Sequence, residues 1–402
     1  MGKQNSSFIN NIKYVNVNSA ELNNLGKSNG GIVGEYVESV NGMSGNVQLD
    51  AVDVGAMPLL KAIEGMVVSN AEKIIAYNAF SGQEFLTGVE ARNAKYAYLS
   101  GAFQGCGGLK EIRGFDKVTE GYFENAFRSC GNLEYIEDGA FSRVEKYNGN
   151  TNKLFYYTFK SCYVLKRIPS NIFAGVKKLG VNTFGYTFHW ATDLEEIPSG
   201  LFDNIVDDGE EHTYAFQAFC VNTKITSIPE GLFDNLIWGQ SHLFDTAFAA
   251  NHNLTTVPKY LFKNIVGEDT TQGKHSNSTF YDVFTGCENL EGELEFSSLV
   301  DIGSSCFNTA FKGTKISALY FPAVKSTSFY GGSNAFSNML SGVNGCVVHF
   351  PSNVQSVIGN YSSVTNGFGG TNTTVLFDLP ATDENESPGG SGGSGDIGYE
   401  DE

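Results

Sequence analysis

Apolar positions along this 402-residue chain recur in a fixed phrase. Ala-Phe or a close variant comes first, then a small residue three places after the Phe, and Leu or Ile six places after it. The copies run "GAFQGCGGLKEI" from Gly101, "NAFRSCGNLEYI" from Asn125, "YTFKSCYVLKRI" from Tyr157, "YTFHWATDLEEI" from Tyr186 and "QAFCVNTKITSI" from Gln217, then "TAFAANHNLTTV" from Thr246, "DVFTGCENLEGE" from Asp282 and "TAFKGTKISAL" from Thr309. The anchoring Phe residues are 103, 127, 159, 188, 219, 248, 284 and 311. Their irregular spacing fits a solenoid whose loops vary while its core does not, and excludes a heptad repeat.

Within each copy the six-after position holds Leu109, Leu133, Leu165, Leu194, Ile225, Leu254 or Leu290, and Ile or Val follows three residues later in most copies. Leu-x-x-Ile predicts one short strand per turn, stacked in parallel on its neighbours. Pro169, Pro198, Pro229 and Pro258 end the strand in the middle copies, because proline has no N–H for the ladder. A second apolar pair follows in "SGLFDNIV", "EGLFDNLI" and "KYLFKNIV". One unit alone leaves its apolar face exposed, whereas stacked units bury it. Cys106, Cys130, Cys162 and Cys287 each lie three residues after the repeat Phe, which predicts a small buried apolar site. Ser69-Asn70-Ala71-Glu72 has the form of a capping box, which predicts a short helix through about Tyr77 at the open end of the stack.

The pattern AFxxCxxLxxI with a following Pro resembles the BspA-type leucine-rich repeat over roughly Asn78 to Leu376. That resemblance implies a right-handed, slightly curved solenoid that works by binding in adhesion and recognition, and it does not imply an enzyme. The chain departs from the family in its long inter-repeat loops and in copies lacking the Cys.

The stretch "ESVNGMSGNVQLDAVDVGAMP", Glu38 to Pro58, is of another kind. Asn-Gly and Ser-Gly-Asn are turn sequences, and Val47 and Leu49 alternate with polar residues as in a half-buried strand. A hairpin this small is marginal in water, so its apolar residues need burial by other chains or by the solenoid. Through Val40, Asn41, Gly42, Gly45, Val47, Leu49, Ala51, Asp53, Val54, Gly55 and Ala56 the segment is similar to the VNGxxGxVxLxAxDVGA element near the attachment ends of tailed-phage fibre proteins. In that family the element usually belongs to a trimeric, interwoven stem.

Composition narrows the functional classes. A net charge of −18 repels phosphate backbones and argues against nucleic acid. Eight of the acids lie from Asp378 onward with no base among them, around "SPGGSGGSG", which predicts a flexible acidic tail. No apolar run is long enough for a membrane span, and the Asn-rich N-terminus lacks the apolar core of a secretory signal. With an odd count of seven Cys and no export signal, the expectation is synthesis in a reducing cytoplasm without a disulfide framework.

The sequence shows no CxxC pair, no histidine ladder, no HExxH and no triad-like context, so no metal, cofactor or catalytic residue is assigned. The candidate ligand-binding residues lie on three insertions of the same phase: Asp207, Asp208 and Glu210, then Trp238 as the stacking residue, then Glu268 and Asp269. A glycan depolymerase grafted on the solenoid would need carboxylates opposed across a groove, and Glu210-Glu211 are merely adjacent.

These readings divide the chain into a virion anchor (1–37), a trimeric stem (38–65), a repeat solenoid of mainly β character (66–378) and an acidic Gly/Ser tail (379–402). The expected function is a homotrimeric, capsid-attached phage head fibre. It is made in the bacterial host cytoplasm and docked to the virion through its N-terminus. The fibre shows its repeats to the bacterial surface or its glycans, without membrane insertion. The alternatives are a tail fibre or a bacterial BspA-like surface adhesin.

Overall fold

The computed structural model describes residues 36–40, 43–48, 66–267, 276–325, 334–358 and 367–382. The first described element is an antiparallel hairpin of β1 (Tyr36–Val40) and β2 (Met43–Gln48), with Val40 opposite Met43 across Asn41-Gly42. Ser44, Gly45 and Asn46, read as a turn, lie inside β2. Asn41, Gly42, Leu49, Val54 and Gly55 lie outside the described residues.

From Met66 the chain winds into a parallel-strand β-solenoid of about twelve turns. Strands β3 (Met66–Ser69), β5 (Gly88–Ala91), β7 (Glu111–Gly114) and β9 (Tyr135–Ile136) form one parallel sheet. A second is made by β4 (Lys73–Ile75), β6 (Tyr96–Tyr98) and β8 (Glu120–Tyr122). The capping-box helix is therefore not formed: residues 73–75 are a strand, and the Ser69 hydroxyl accepts from the N–H of Ala71 in a local turn. Ile74, fully buried, gains more from register with Ala97 than one exposed helical turn would supply.

The first sheet stops at β9 for a reason legible in the sequence. Glu137 donates its N–H to the carbonyl of Ile112, but one turn later the equivalent residue is Pro169, which has nothing to donate. Through the proline-bearing copies the strand reduces to single contacts such as the parallel bridge Ser227–Thr256. A full sheet resumes with β10 (Glu291–Glu295), β11 (Lys315–Tyr320), β12 (Val347–Pro351) and β13 (Thr374–Leu379), all parallel.

The Ala-Phe phrase forms the remaining side of each turn, as overlapping β-turns. Asn78, Phe80 and Gly82 donate to the carbonyls of Ser100, Ala102 and Gln104 in the next coil at 2.7–2.9 Å, while Ala79, Ser81 and Gln83 donate three residues back at 3.2–3.4 Å. Every second turn needs a residue with positive φ, so left-handed residues recur every four positions, as at Lys153, Tyr157 and Ser161 (φ 54°, 59° and 60°). A side chain there costs about 1–2 kcal/mol, offset by the inter-coil hydrogen bonds that this backbone alone can make.

The core holds three columns of phenylalanine. The anchoring column stacks Phe80, Phe103, Phe127, Phe159 and Phe188 at 5.2–5.8 Å between ring centres. Four residues earlier, Phe155, Phe184, Phe216, Phe244 and Phe280 stack at 5.5–6.0 Å. Beyond the strand, Phe202, Phe233, Phe262 and Phe296 stack at 5.8–5.9 Å. The register departs from expectation in one coil. Phe188 is followed in its column by Cys220, not Phe219, since Phe188 and Cys220 donate in step to Phe219 and Ala247. Phe219 instead meets Phe188 edge-on at 85°.

Cysteine placement is also more specific than a small apolar site. Each thiol donates to the anchoring Phe carbonyl of the coil before: Cys106 to Phe80 (3.0 Å), Cys130 to Phe103 (3.1 Å), Cys162 to Phe127 (3.3 Å) and Cys287 to Phe248 (3.2 Å). Where the phrase lacks Cys, Asn251 takes the position and donates to the carbonyls of Cys220 and Phe248, both at 2.7 Å. Ala191, three residues after Phe188, is the buried exception with no donor; in the other coils named the column takes a donor as well as a small volume.

Candidate functional site

Between the inward phenylalanines of the turn side, alternate residues face outward and form surface columns of their own. In the coils from Asn125 to Val221 these columns carry an aromatic and cationic cluster. Tyr157 and Tyr186 occupy equivalent left-handed positions in adjacent coils and stack at 4.5 Å with a 21° tilt. Tyr156 meets Tyr157 edge-on at 4.2 Å. His189 lies 5.5 Å from Tyr186 and 5.1 Å from Trp190, whose indole is 46% exposed.

Two cations sit over these rings. Lys160 Nζ is 4.9, 5.4 and 5.8 Å from the centres of Tyr157, Tyr186 and Trp190, and the Arg128 guanidinium is 5.3 Å from Tyr157. Such contacts hold a cation over a ring face with about 0.5–1 kcal/mol at exposed sites. Burial, and then Arg128, hold the Lys160 ammonium below the usual lysine range. Lys95, Lys178, Lys224 and Lys263 elsewhere each pair with a carboxylate. Among the described residues Lys160 and Arg128 form no such ion pair; Arg128 reaches only the Asn125 amide oxygen, at 3.3 Å. Burial, with Lys160 adding to it, lowers the His189 pKa to about 4, so its ring is neutral near pH 7.

The loop residues read from the sequence sit apart from this cluster and are largely engaged with one another. Asp207 Oδ2 accepts from the N–H groups of Ile237 and Trp238, at 2.9 and 2.8 Å. Asp208 pairs with Lys178. Trp238 is half-buried beside Gly209 and bridges in parallel to Gly267. The Glu210 side chain is exposed, and its carbonyl accepts from Gln240 at 2.8 Å. Glu268 and Asp269 lie outside the described residues. The insertions thus act as laces between successive coils, with Asp207 as the knot.

Among the described residues four carboxylate–imidazole pairs occur; His252–Glu288 (4.0 Å) and His349–Asp378 (2.9 Å) lie on the surface, and the other two lack the geometry of a nucleophile relay. His212 is buried 3.9 Å from Asp207, with its ring nitrogens facing the carbonyls of Glu210 (2.8 Å) and Trp238 (3.1 Å). His242 Nδ1 is 3.0 Å from Asp245, but the neighbouring Thr246 hydroxyl donates to Asp245, not to the imidazole. Among the described residues no group of three or more His, Cys, Asp or Glu is gathered to hold a metal ion.

Sequence reasoning missed the aromatic platform. Its signal was present in "FYYTFK" and "FGYTFHW", where a Tyr lies two residues before the anchoring Phe in consecutive copies. It goes unread unless those positions are known to face outward and to stack.

A family model described as the BspA type leucine rich repeat region matches residues 61–205 and 211–344 in six copies. Among solved structures, a leucine-rich repeat protein from Bacteroides ovatus is similar at 15% identity, over 76% of this chain and 88% of that one, with a TM-score of 0.28. A leucine-rich cell surface protein from Faecalibacterium prausnitzii is similar at 15% identity, over 81% and 95%, with a TM-score of 0.26. No curated protein matches the chain.

Proposed function

Since the chain belongs to the BspA-type leucine-rich repeat family, we propose that it is a binding protein whose solenoids are displayed on a phage virion by a trimeric stem. The repeat fold is consistent with adhesion: rigid stacked coils present a fixed surface, and stiffness lowers the entropy cost of contact. The Tyr157–Trp190 platform supplies exposed aromatic area on that surface.

The observation that carries the fibre reading is the element from Val40 to Ala56, similar to the attachment segment of tailed-phage fibres. The described part of it forms an antiparallel hairpin, an element too small to be stable by itself. Interwinding of three copies would bury its apolar residues Val40, Val47, Leu49 and Val54, and Asn41, Gly42, Gly45 and Gly55 complete the stem pattern. The short stem favours a capsid-attached fibre over a tail fibre, which needs a longer shaft to reach a cell. A bacterial surface adhesin fits the solenoid equally and gives no role to that element.

Solution mass by light scattering tests the reading, on the full chain and on a chain starting at Met66. A trimer that becomes a monomer on truncation is expected. A monomer in both cases refutes the stem and shifts weight to the adhesin.

A further inference from the structure

We propose that Tyr157, Tyr186 and Trp190, with Lys160 and Arg128 beside them, form a binding site for an anionic pyranose. The sugar ring would lie on the exposed indole beside the phenol edges, with its acidic group between the two cations. This inference rests on the binding reading above and gives it a site and a ligand class.

Three observations converge on it. The platform sets an exposed indole, whose flat, electron-rich face suits the C–H face of a sugar ring, beside two half-buried phenols that stack on each other. Lys160 is within 6 Å of three ring centres, so a ligand resting on the rings meets its ammonium. Neither Lys160 nor Arg128 is balanced by a carboxylate among the described residues, in a chain of net charge −18. An incoming carboxylate or sulfate would supply the charge-assisted hydrogen bonds that the fold leaves unmade. An acidic peptide would satisfy the cations but leave the exposed Trp190 face without a role. His189, tilted against Trp190 and Tyr186 with its buried Nδ1 unpartnered among the described residues, acts as a positioning residue for the indole.

The test is titration calorimetry on the full chain with oligogalacturonate, its uncharged methyl ester, sialyllactose, a heparin hexasaccharide and polyglutamate. At least one acidic saccharide is expected to bind below millimolar Kd; which one separates a carboxylate from a sulfate ligand. If oligogalacturonate is the ligand, its ester should bind at least about tenfold more weakly. Trp190→Ala and the double variant Lys160→Gln/Arg128→Gln should each lose about tenfold or more at an unchanged melting temperature, with Trp190→Phe largely retained. Failure of all three acidic saccharides overturns the site. So does polyglutamate binding that Trp190→Ala leaves intact, which would instead make this a docking surface for an acidic protein. Adhesion to bacterial cells, measured in parallel, keeps the two readings apart. Wild-type adhesion that both variants retain sinks the site and spares the adhesive function, whereas sugar binding without adhesion spares the site and sinks the function.

Discussion

Asn251 is the position where the structure makes its sharpest quantitative demand. Its side chain is fully buried and makes four hydrogen bonds: Nδ2 to the carbonyls of Cys220 and Phe248, and Oδ1 from the N–H and hydroxyl of Thr223 at 2.8 and 2.7 Å. Replacing it with Leu keeps the branching at Cγ, adds some bulk and removes every one. The Phe248 carbonyl keeps the Cys287 thiol as donor, and the Thr223 hydroxyl can turn. That leaves two buried backbone groups, the Cys220 carbonyl and the Thr223 N–H, without the partner Asn251 gave them. At about 1–3 kcal/mol for each orphaned group, Asn251→Leu should destabilise the solenoid by about 2–6 kcal/mol. Asn251→Cys, the residue other coils use here, restores a donor toward Cys220 and orphans only the Thr223 side, so its cost should be about half. Thermal unfolding followed by circular dichroism ranks wild type, Cys and Leu in that order. A Leu variant within about 0.5 kcal/mol of wild type, inside the usual range for an uncommitted site, would refute the view that this column selects a donor.

Three further outcomes follow from the same geometry. Ser129 is exposed at φ 60°, in the column where Gly105 and Gly286 stand, so Ser129→Gly should stabilise by up to about 1 kcal/mol; a lower melting temperature would contradict the strain argument. The folded-state pKa of His189, about 4, lies below the ordinary value of about 6.5. As pH falls the unfolded chain takes the proton first, so stability is full above about pH 6.5 and declines down to about pH 4. Melting temperature against pH should therefore slope less for His189→Gln, and an identical slope would assign the acid sensitivity to other groups. All seven cysteines are free and buried, and burial pushes the thiols of Cys106, Cys220 and Cys287 up to about 12. A maleimide should label the native chain only on the unfolding timescale and label all seven in denaturant; fast native labelling would show open coils.

The sequence by itself determined the repeating unit. Leu109, Leu133 and Leu165 with their following Ile residues mark the inward positions of each coil, because a single turn has no other way to bury them. Pro169 and its counterparts already announced where the ladder would lose its donors. What remained illegible was register. Ile225 closes its coil five residues after Cys220, where Leu194 follows Phe188 by six. Only the inter-coil hydrogen bonds reveal that Cys220, not Phe219, stands in the anchoring column. The same limit hid the candidate site. Arg128, Tyr157, Lys160 and Tyr186 span 58 positions of sequence over three coils and meet only because the left-handed residues every fourth position turn these columns outward in successive coils. Period and core follow from burial within one coil, so they are written in the chain. Surface columns are set by how far each coil slips against the next, and that is fixed only when loops, hydrogen bonds and packed rings settle together.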